Sequence, residues 1–171
     1  MRIGRKANSR SGDAGSPARA IPVAAEVTRT WQRSVARYGR LEEPFSLMLI
    51  VLEEVDQPDG SVELDDHTLL TCLRGTVRLE DDVYPLGGRS FLAFFCNVNF
   101  PVGELVAFRL ATAVSATPLV TTAEERVFVT FEYGLAEWDE SIGTLANLLA
   151  SAHRDLTKRG RIYKSKLRPA G

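Results

Sequence analysis

Two adjacent glycines, Gly87 and Gly88, separate Val83-Tyr84-Pro85-Leu86 from Phe91-Leu92-Ala93-Phe94-Phe95-Cys96. Glycine reaches positive φ without steric penalty, and a tight hairpin turn demands positive φ. The pair therefore predicts two antiparallel strands joined at this point. The second strand is apolar at successive positions, so it is expected to be covered on both faces, with Phe91, Ala93 and Phe95 on one and Leu92, Phe94 and Cys96 on the other. Phe45-Ser46-Leu47-Met48-Leu49-Ile50-Val51-Leu52 is a second, almost unbroken apolar run, too short for an ordinary helix and right for another doubly covered strand.

A sheet covered on both faces needs helices, and the remaining chain supplies their patterns. Val27, Trp31, Val35 and Tyr38 fall at helical spacing before Gly39, which predicts a helix from about Ala24 to Tyr38. Asp66 can cap a helix through Leu69, Leu70 and Leu73. Pro101 suits a first turn, with Leu105, Phe108 and Ala111 at three-residue steps along one face. Leu119–Thr121 and Val127–Phe131 read as a second hairpin joined through Ala123–Arg126. A last helix is expected from about Ser141 to Lys158, with Leu145, Leu148, Leu149, Ala152 and Leu156 inward and Gly160 as its stop. The order helix, strand, helix, hairpin, helix, hairpin, helix implies an α+β fold: a mixed, mostly antiparallel sheet flanked by helices.

Charge is unevenly placed. The 171 residues carry 21 Lys and Arg against 22 Asp and Glu. Arg2, Arg5, Lys6, Arg10 and Arg19 crowd the first twenty residues, and Arg154, Lys158, Arg159, Arg161, Lys164, Lys166 and Arg168 crowd the last eighteen. Residues 21–153 hold nine basic and twenty acidic groups, a net of -11. Basic ends could touch nucleic acid, but no interleaved aromatics offer bases a stacking surface, so they read as solvated tails. The chain divides into a basic leader (1–23) without periodicity, a folded domain (24–162) and a basic tail (163–171). No run of apolar residues is long enough to span a bilayer, and the leader lacks the apolar segment of a secretory signal, which points to a cytoplasmic protein. Cys72 and Cys96 are too few for a disulfide framework or a zinc cluster and are expected as buried free thiols. His67 and His153 have no ligand spacing, Ser90 lacks a nucleophile elbow, and Trp31 and Trp138 read as packing residues.

At the glycine hairpin the sequence resembles a known family. Val83-Tyr84-Pro85-Leu86-Gly87-Gly88-Arg89-Ser90-Phe91 looks like the signature hairpin of the GGDEF domain, the domain of diguanylate cyclases. Phe45–Leu52 resembles its first strand, Val127–Ala136 its last strand with the turn that follows, and Leu148-Leu149 through Lys158-Arg159-Gly160-Arg161 its closing helix and Lys…Gly-Arg tail. The resemblance covers roughly residues 24–162 and implies a nucleotidyl-cyclase-like fold.

The departures bear on function. The family condenses two GTP molecules with divalent metal held by carboxylates, since hard cations take oxygen ligands. Its acidic third and fourth signature positions are Arg89 and Ser90 here, and its metal-binding Asp late in the first strand falls on Val51. Glu53, two residues on, is a single carboxylate. The guanine-reading Asn has no counterpart in Gln57–Val62, the Asp-x-Leu-Thr-Gly-Leu entry motif is missing, and the closing helix is about three residues shorter, which shifts Lys158 from the phosphate-contacting Lys. The resemblance thus implies a degenerate domain with no catalytic residues, no metal and no cofactor.

One family feature is retained. An Arg-x-x-Asp five residues before the signature forms a product-binding site in many of these cyclases, and Arg78-Leu79-Glu80-Asp81 stands at that distance from Gly87. A guanidinium fork can donate to guanine O6 and N7, and a carboxylate can accept from guanine N–H groups. The expected ligand is cyclic di-GMP, a bacterial second messenger, bound at Arg78 and Asp81. The degenerate turn is Gly87, Gly88, Arg89, Ser90 and Phe91. The implied partners are a protein effector or a second copy of the chain. The alternatives are a local ion pair at Arg78 and an interaction or dimerisation module that keeps only the fold.

Overall fold

The structure is a computed structural model of the chain and describes residues 24–54, 66–117, 119–120, 126–127 and 129–166. The leader and the acidic loop after Glu54 lie outside these residues. The elements run α1 (Ala25–Leu41), β1 (Phe45–Glu54), α2 (Asp66–Thr76), β2 (Asp82–Gly87), β3 (Ser90–Cys96), α3 (Phe100–Ala116), β4 (Leu119–Val120), β5 (Arg126–Val127), β6 (Val129–Glu137) and α4 (Leu145–Lys166). The order is the one the sequence predicts as far as α3. Beyond it the expected second hairpin strand, Val127–Phe131, is divided between β5, which pairs with β4, and β6, which joins the main sheet, while residues 121–125 and 128 lie outside the described residues.

Four strands form one sheet in the order β2-β3-β1-β6, and every pair is antiparallel. β4 and β5 pair separately as a two-stranded sheet. Because strand side chains alternate between faces, each central strand feeds two cores. Met48, Ile50, Leu52, Phe91, Ala93 and Phe95 pack with Leu69 and Leu73 of α2 and with Val106, Ala107, Leu110 and Val114 of α3. Phe45, Leu47, Leu49, Leu92 and Phe94 pack with Val27 of α1 and with Leu145, Leu148, Leu149 and Ala152 of α4. The sheet is therefore sandwiched, α2 and α3 on one side and α1 and α4 on the other. The strand faces of β3 fall as expected, although Cys96 at its end is only half-buried, and so is Cys72. Trp138 stacks on Phe45 and meets Trp31 edge-on at 6.0 Å, as packing residues do.

Three helices differ from their predicted form. α1 passes Gly39 and ends at Glu42, whose left-handed backbone (φ 54) returns an N–H to the Tyr38 carbonyl. α3 starts as expected, with Asn99 accepting from the Val102 N–H and Pro in the first turn, but it buries a different face. Gly103, Val106, Ala107, Leu110 and Val114 point inward, whereas Leu105 and Phe108 are 71% and 75% exposed. Small residues let α3 lie close to the sheet: a Cβ on Gly103 would come within 2.6 Å of Leu135 Cδ2. α4 begins four residues later than expected, after a turn closed by Asp139 and Ser141, and its backbone continues helical through Gly160 to Lys166. Glycine weakens a helix by only about 1 kcal/mol, too little to stop one already packed along its length.

Candidate functional site

The hairpin turn is built as its glycines require. Gly87 pairs with Ser90 across it, leaving Gly88 (φ 58) and Arg89 (φ 60) as the two loop residues. Both positive φ values match a primed hairpin turn, which suits the right-handed strand twist. Gly87 is also positive (φ 85), beside an irregularity in the β2 register. The backbone of Arg89 is tied to the next strand, its carbonyl accepting from the Leu52 N–H at 3.0 Å.

Val51 lies directly opposite Ser90 in the β1–β3 ladder. The three positions at which the resemblance calls for acids are thus gathered at one end of the sheet, but they offer an alkyl group, a hydroxyl and a guanidinium. That donor set does not fit a hard divalent cation, which requires several oxygen ligands and repels a guanidinium. Among the described residues no group of three or more His, Cys, Asp or Glu side chains is arranged to hold a metal ion. Lys158 is exposed on α4, while the neighbouring Arg159 is turned into the fold.

The Arg-x-x-Asp segment forms the corner between α2 and β2. Asp81 Oδ2 accepts from the Arg78 backbone N–H at 3.0 Å, Asp81 Oδ1 accepts from the Cys96 N–H at 3.1 Å, and the Asp81 N–H donates to the Arg78 carbonyl at 3.1 Å. The carboxylate therefore closes the turn and pins it to the end of β3. Burial pushes the Asp81 carboxyl above its ordinary value, against the two backbone bonds that pull it down. Arg78 is exposed, and Leu79 beside it is fully so. The structure brings Arg78 and Asp81 together through backbone, not through an ion pair between their side chains. Arg74, the last basic residue of α2, steadies the same corner by donating to the Val83 carbonyl at 2.9 Å.

A cleft of about 340 Å³ lies beside this corner, lined by Arg33, Ser34 and Arg37 of α1 and by Leu79, Glu80, Asp82 and Cys96. Its arginines are partly engaged: Arg33 Nη2 contacts Asp82 Oδ2 at 2.6 Å, and Arg37 Nε contacts Glu43 Oε2 at 2.5 Å. Burial, with the Asp81 charge second, raises the Cys96 thiol and leaves it protonated at neutral pH. Sequence reasoning missed Arg33 and Arg37, which sit more than forty residues before the corner. Their four-residue spacing placed them on one face of α1, yet nothing local connects that face to Asp82.

A second groove of about 540 Å³ runs between α2 and α3, with His67, Thr68, Thr71, Cys72, Gly75 and Thr76 on one wall and Ala113 and Thr117 on the other. The Cys72 thiol and Thr117 hydroxyl meet at 3.3 Å across its floor. No helix among the described residues is long and apolar enough to cross a membrane.

No family model matches the sequence, and no curated protein does. Solved structures do. The GGDEF domain of PA1120 (YfiN or TpbB) from Pseudomonas aeruginosa is 19% identical over 83% of this chain and 91% of its own, with a TM-score of 0.66. The GGDEF domain of DgcB from Caulobacter crescentus in complex with c-di-GMP is 14% identical over 80% and 84%, with a TM-score of 0.60. The diguanylate cyclase SiaD from Pseudomonas aeruginosa, in complex with its activator SiaC, is 18% identical over 78% of this chain and 52% of its own, with a TM-score of 0.62. With its antiparallel four-stranded sheet, its glycine hairpin and its two layers of helices, this chain has the GGDEF-domain fold.

Proposed function

We propose that the chain is a catalytically inactive GGDEF-fold domain that binds cyclic di-GMP at the corner carrying Arg78 and Asp81. The observation that carries this reading is the preformed turn: Asp81 accepts from the Arg78 N–H and donates its own N–H to the Arg78 carbonyl, while the Arg78 side chain stands at the surface. The turn's backbone is already ordered, so binding costs only the rotamer freedom of the exposed Arg78 side chain, and its guanidinium can donate two parallel bonds to one guanine edge. The adjacent cleft adds two arginines, the residue type best shaped for a phosphodiester. The c-di-GMP complex of DgcB supports the ligand class.

Inactivity follows in this reading from Val51, Arg89 and Ser90, which supply no carboxylate where the family needs metal. Two assays on the purified chain test the proposal: equilibrium binding of cyclic di-GMP to wild type and Arg78→Ala, and product formation from GTP with magnesium or manganese. Binding weakened about tenfold or more in the variant, together with no product, supports it. Turnover by the wild type contradicts the inactive half, and absence of binding contradicts the receptor half.

A second reading, a module that binds a protein effector or a second copy, is favoured by the outward face of α3. Phe100, Val102, Leu105 and Phe108 expose a run of large apolar side chains there. The SiaD neighbour, a cyclase held by an activator protein, is consistent with such a use. Absence of cyclic di-GMP binding, with concentration-dependent association abolished by Phe108→Glu, selects this reading.

A further inference from the structure

The cleft beside Arg78 has α1 as one wall, and a compact set of polar contacts ties that wall to the start of β2. Arg33 Nη2 donates to Asp82 Oδ2 at 2.6 Å and reaches Thr30 Oγ1 at 3.4 Å. The Thr30 hydroxyl, in turn, bonds the Tyr84 hydroxyl at 2.7 Å and Asp82 Oδ2 at 3.3 Å. Thr30 is only 5% exposed, so its hydroxyl depends on these partners. Asp82 is the residue after Asp81. One carboxylate therefore braces the Arg78 turn, and the next one in sequence holds α1.

We propose that this cluster is a latch, and that the ligand's phosphodiester opens it by taking Arg33 from Asp82 and so loosens α1 from the sheet. The inference rests on the cyclic di-GMP reading of the Arg78 corner and gives that binding a mechanical consequence. The formal charges lining the cleft balance, Arg33 and Arg37 against Glu80 and Asp82. An anion is thus not drawn in by a surplus of positive charge and must displace a carboxylate from an arginine to enter. Arg37 is already turned to Glu43, and the Arg33 side chain is 66% exposed, so its pair with Asp82 is the accessible one and is weakened by water. A phosphodiester offers the guanidinium fork two parallel acceptors, a better partner than the single Oδ2 contact. Once displaced, Asp82 faces the phosphate at short range, and like-charge repulsion drives β2 and α1 apart. The apolar side of α1 is the less secure part of the packing. Trp31 and Trp138 each bury an indole N–H that has no acceptor among the described residues, a cost that undocking to water relieves.

Amide hydrogen exchange on the full chain tests the latch, comparing residues 25–41 with residues 145–159 as the internal standard. Without ligand, Asp82→Asn should accelerate exchange in 25–41 several-fold and leave 145–159 unchanged. Thr30→Val, which keeps the side-chain shape, should act in the same direction if Asp82→Asn folds poorly. Saturating cyclic di-GMP should accelerate 25–41 in the wild type and add nothing in Asp82→Asn. Exchange in both unliganded variants equal to wild type overturns the latch, whether or not ligand binds. Calorimetric binding that leaves 25–41 unchanged or protected overturns the coupling and leaves the receptor reading standing. No binding removes the receptor reading, and the coupling with it.

Discussion

Val51 and Ser90 are cross-strand partners at the hairpin end of the β1–β3 pair, with the Arg89 carbonyl bound to the N–H of the next residue, Leu52. This places the alkyl group and the hydroxyl on the same face of the sheet as cross-strand neighbours. The purified chain, supplied with GTP and magnesium or manganese, is expected to form no cyclic di-GMP above background by chromatography. Changing Arg89 and Ser90 to acids is expected to leave it silent, because Val51 still contributes no oxygen ligand. Product from either protein contradicts this account of the turn.

Much of the fold was legible in local pattern. The doubly apolar runs at Phe45–Leu52 and Phe91–Cys96 became the two central strands, because burial on both faces removes the need for alternation. The Gly87-Gly88 turn was equally plain, since few residues reach positive φ cheaply. The α3 face differs from its sequence reading because three-residue steps through the large Leu105 and Phe108 lead away from the sheet, whereas the buried face combines Val106, Leu110 and Val114 with the small Gly103 and Ala107 that allow close approach. For the candidate site, Arg78 and Asp81 could be found by spacing, but the carboxylate's use on the Arg78 and Cys96 N–H groups could not. Neither could the approach of Arg33 to Asp82, a contact made only by the tertiary fold.

Gly134 lets β6 and α4 approach within backbone contact. A Cβ there would lie 2.0 Å from the Ala152 carbonyl oxygen and 2.5 Å from the Leu156 nitrogen, both backbone atoms. Neither can swing aside, so Gly134→Ala must separate strand and helix. The expected loss is roughly 3 kcal/mol, at the upper end for overpacking, read as a lowered urea midpoint. A midpoint unchanged within error contradicts the packing described.

Arg159 joins α4 to α3 across β6. It contacts Glu104 Oε1 at 2.6 Å, Asp155 Oδ2 at 2.6 Å and the Tyr133 hydroxyl at 2.8 Å, and its guanidinium carbon stands 4.4 Å from the Tyr133 ring centre. Burial works against its charge, but the bonds to Glu104 and Asp155 outweigh it and hold the Arg159 pKa above its ordinary value. Arg159→Ala should lower stability by about 1–3 kcal/mol, the range for hydrogen bonds to charged groups in a partly exposed setting. Chemical denaturation of the variant measures it.

The same network gives an alkaline signature. Burial, then the bond to Glu104, pushes the Tyr133 phenol up to about 12. The folded state holds this proton more tightly than the unfolded chain, whose phenol titrates near its ordinary value of about 10. The stabilisation is therefore complete below that value and is lost as pH rises from there through the folded value. Wild type should lose stability relative to Tyr133→Phe across that interval, which denaturation midpoints at paired pH values resolve. A constant difference between the two proteins contradicts the assignment.

The receptor account stands or falls on Arg78. Calorimetric titration of the chain with cyclic di-GMP should give a micromolar dissociation constant, roughly -8 kcal/mol. Arg78→Ala should weaken it about tenfold or more, and Arg78→Lys should not restore it, because an ammonium lacks the planar fork. Arg89→Ala, in the hairpin turn, should change it less than Arg78→Ala. No heat at high micromolar ligand with folded wild-type protein, or equal affinity in wild type and Arg78→Ala, contradicts the account.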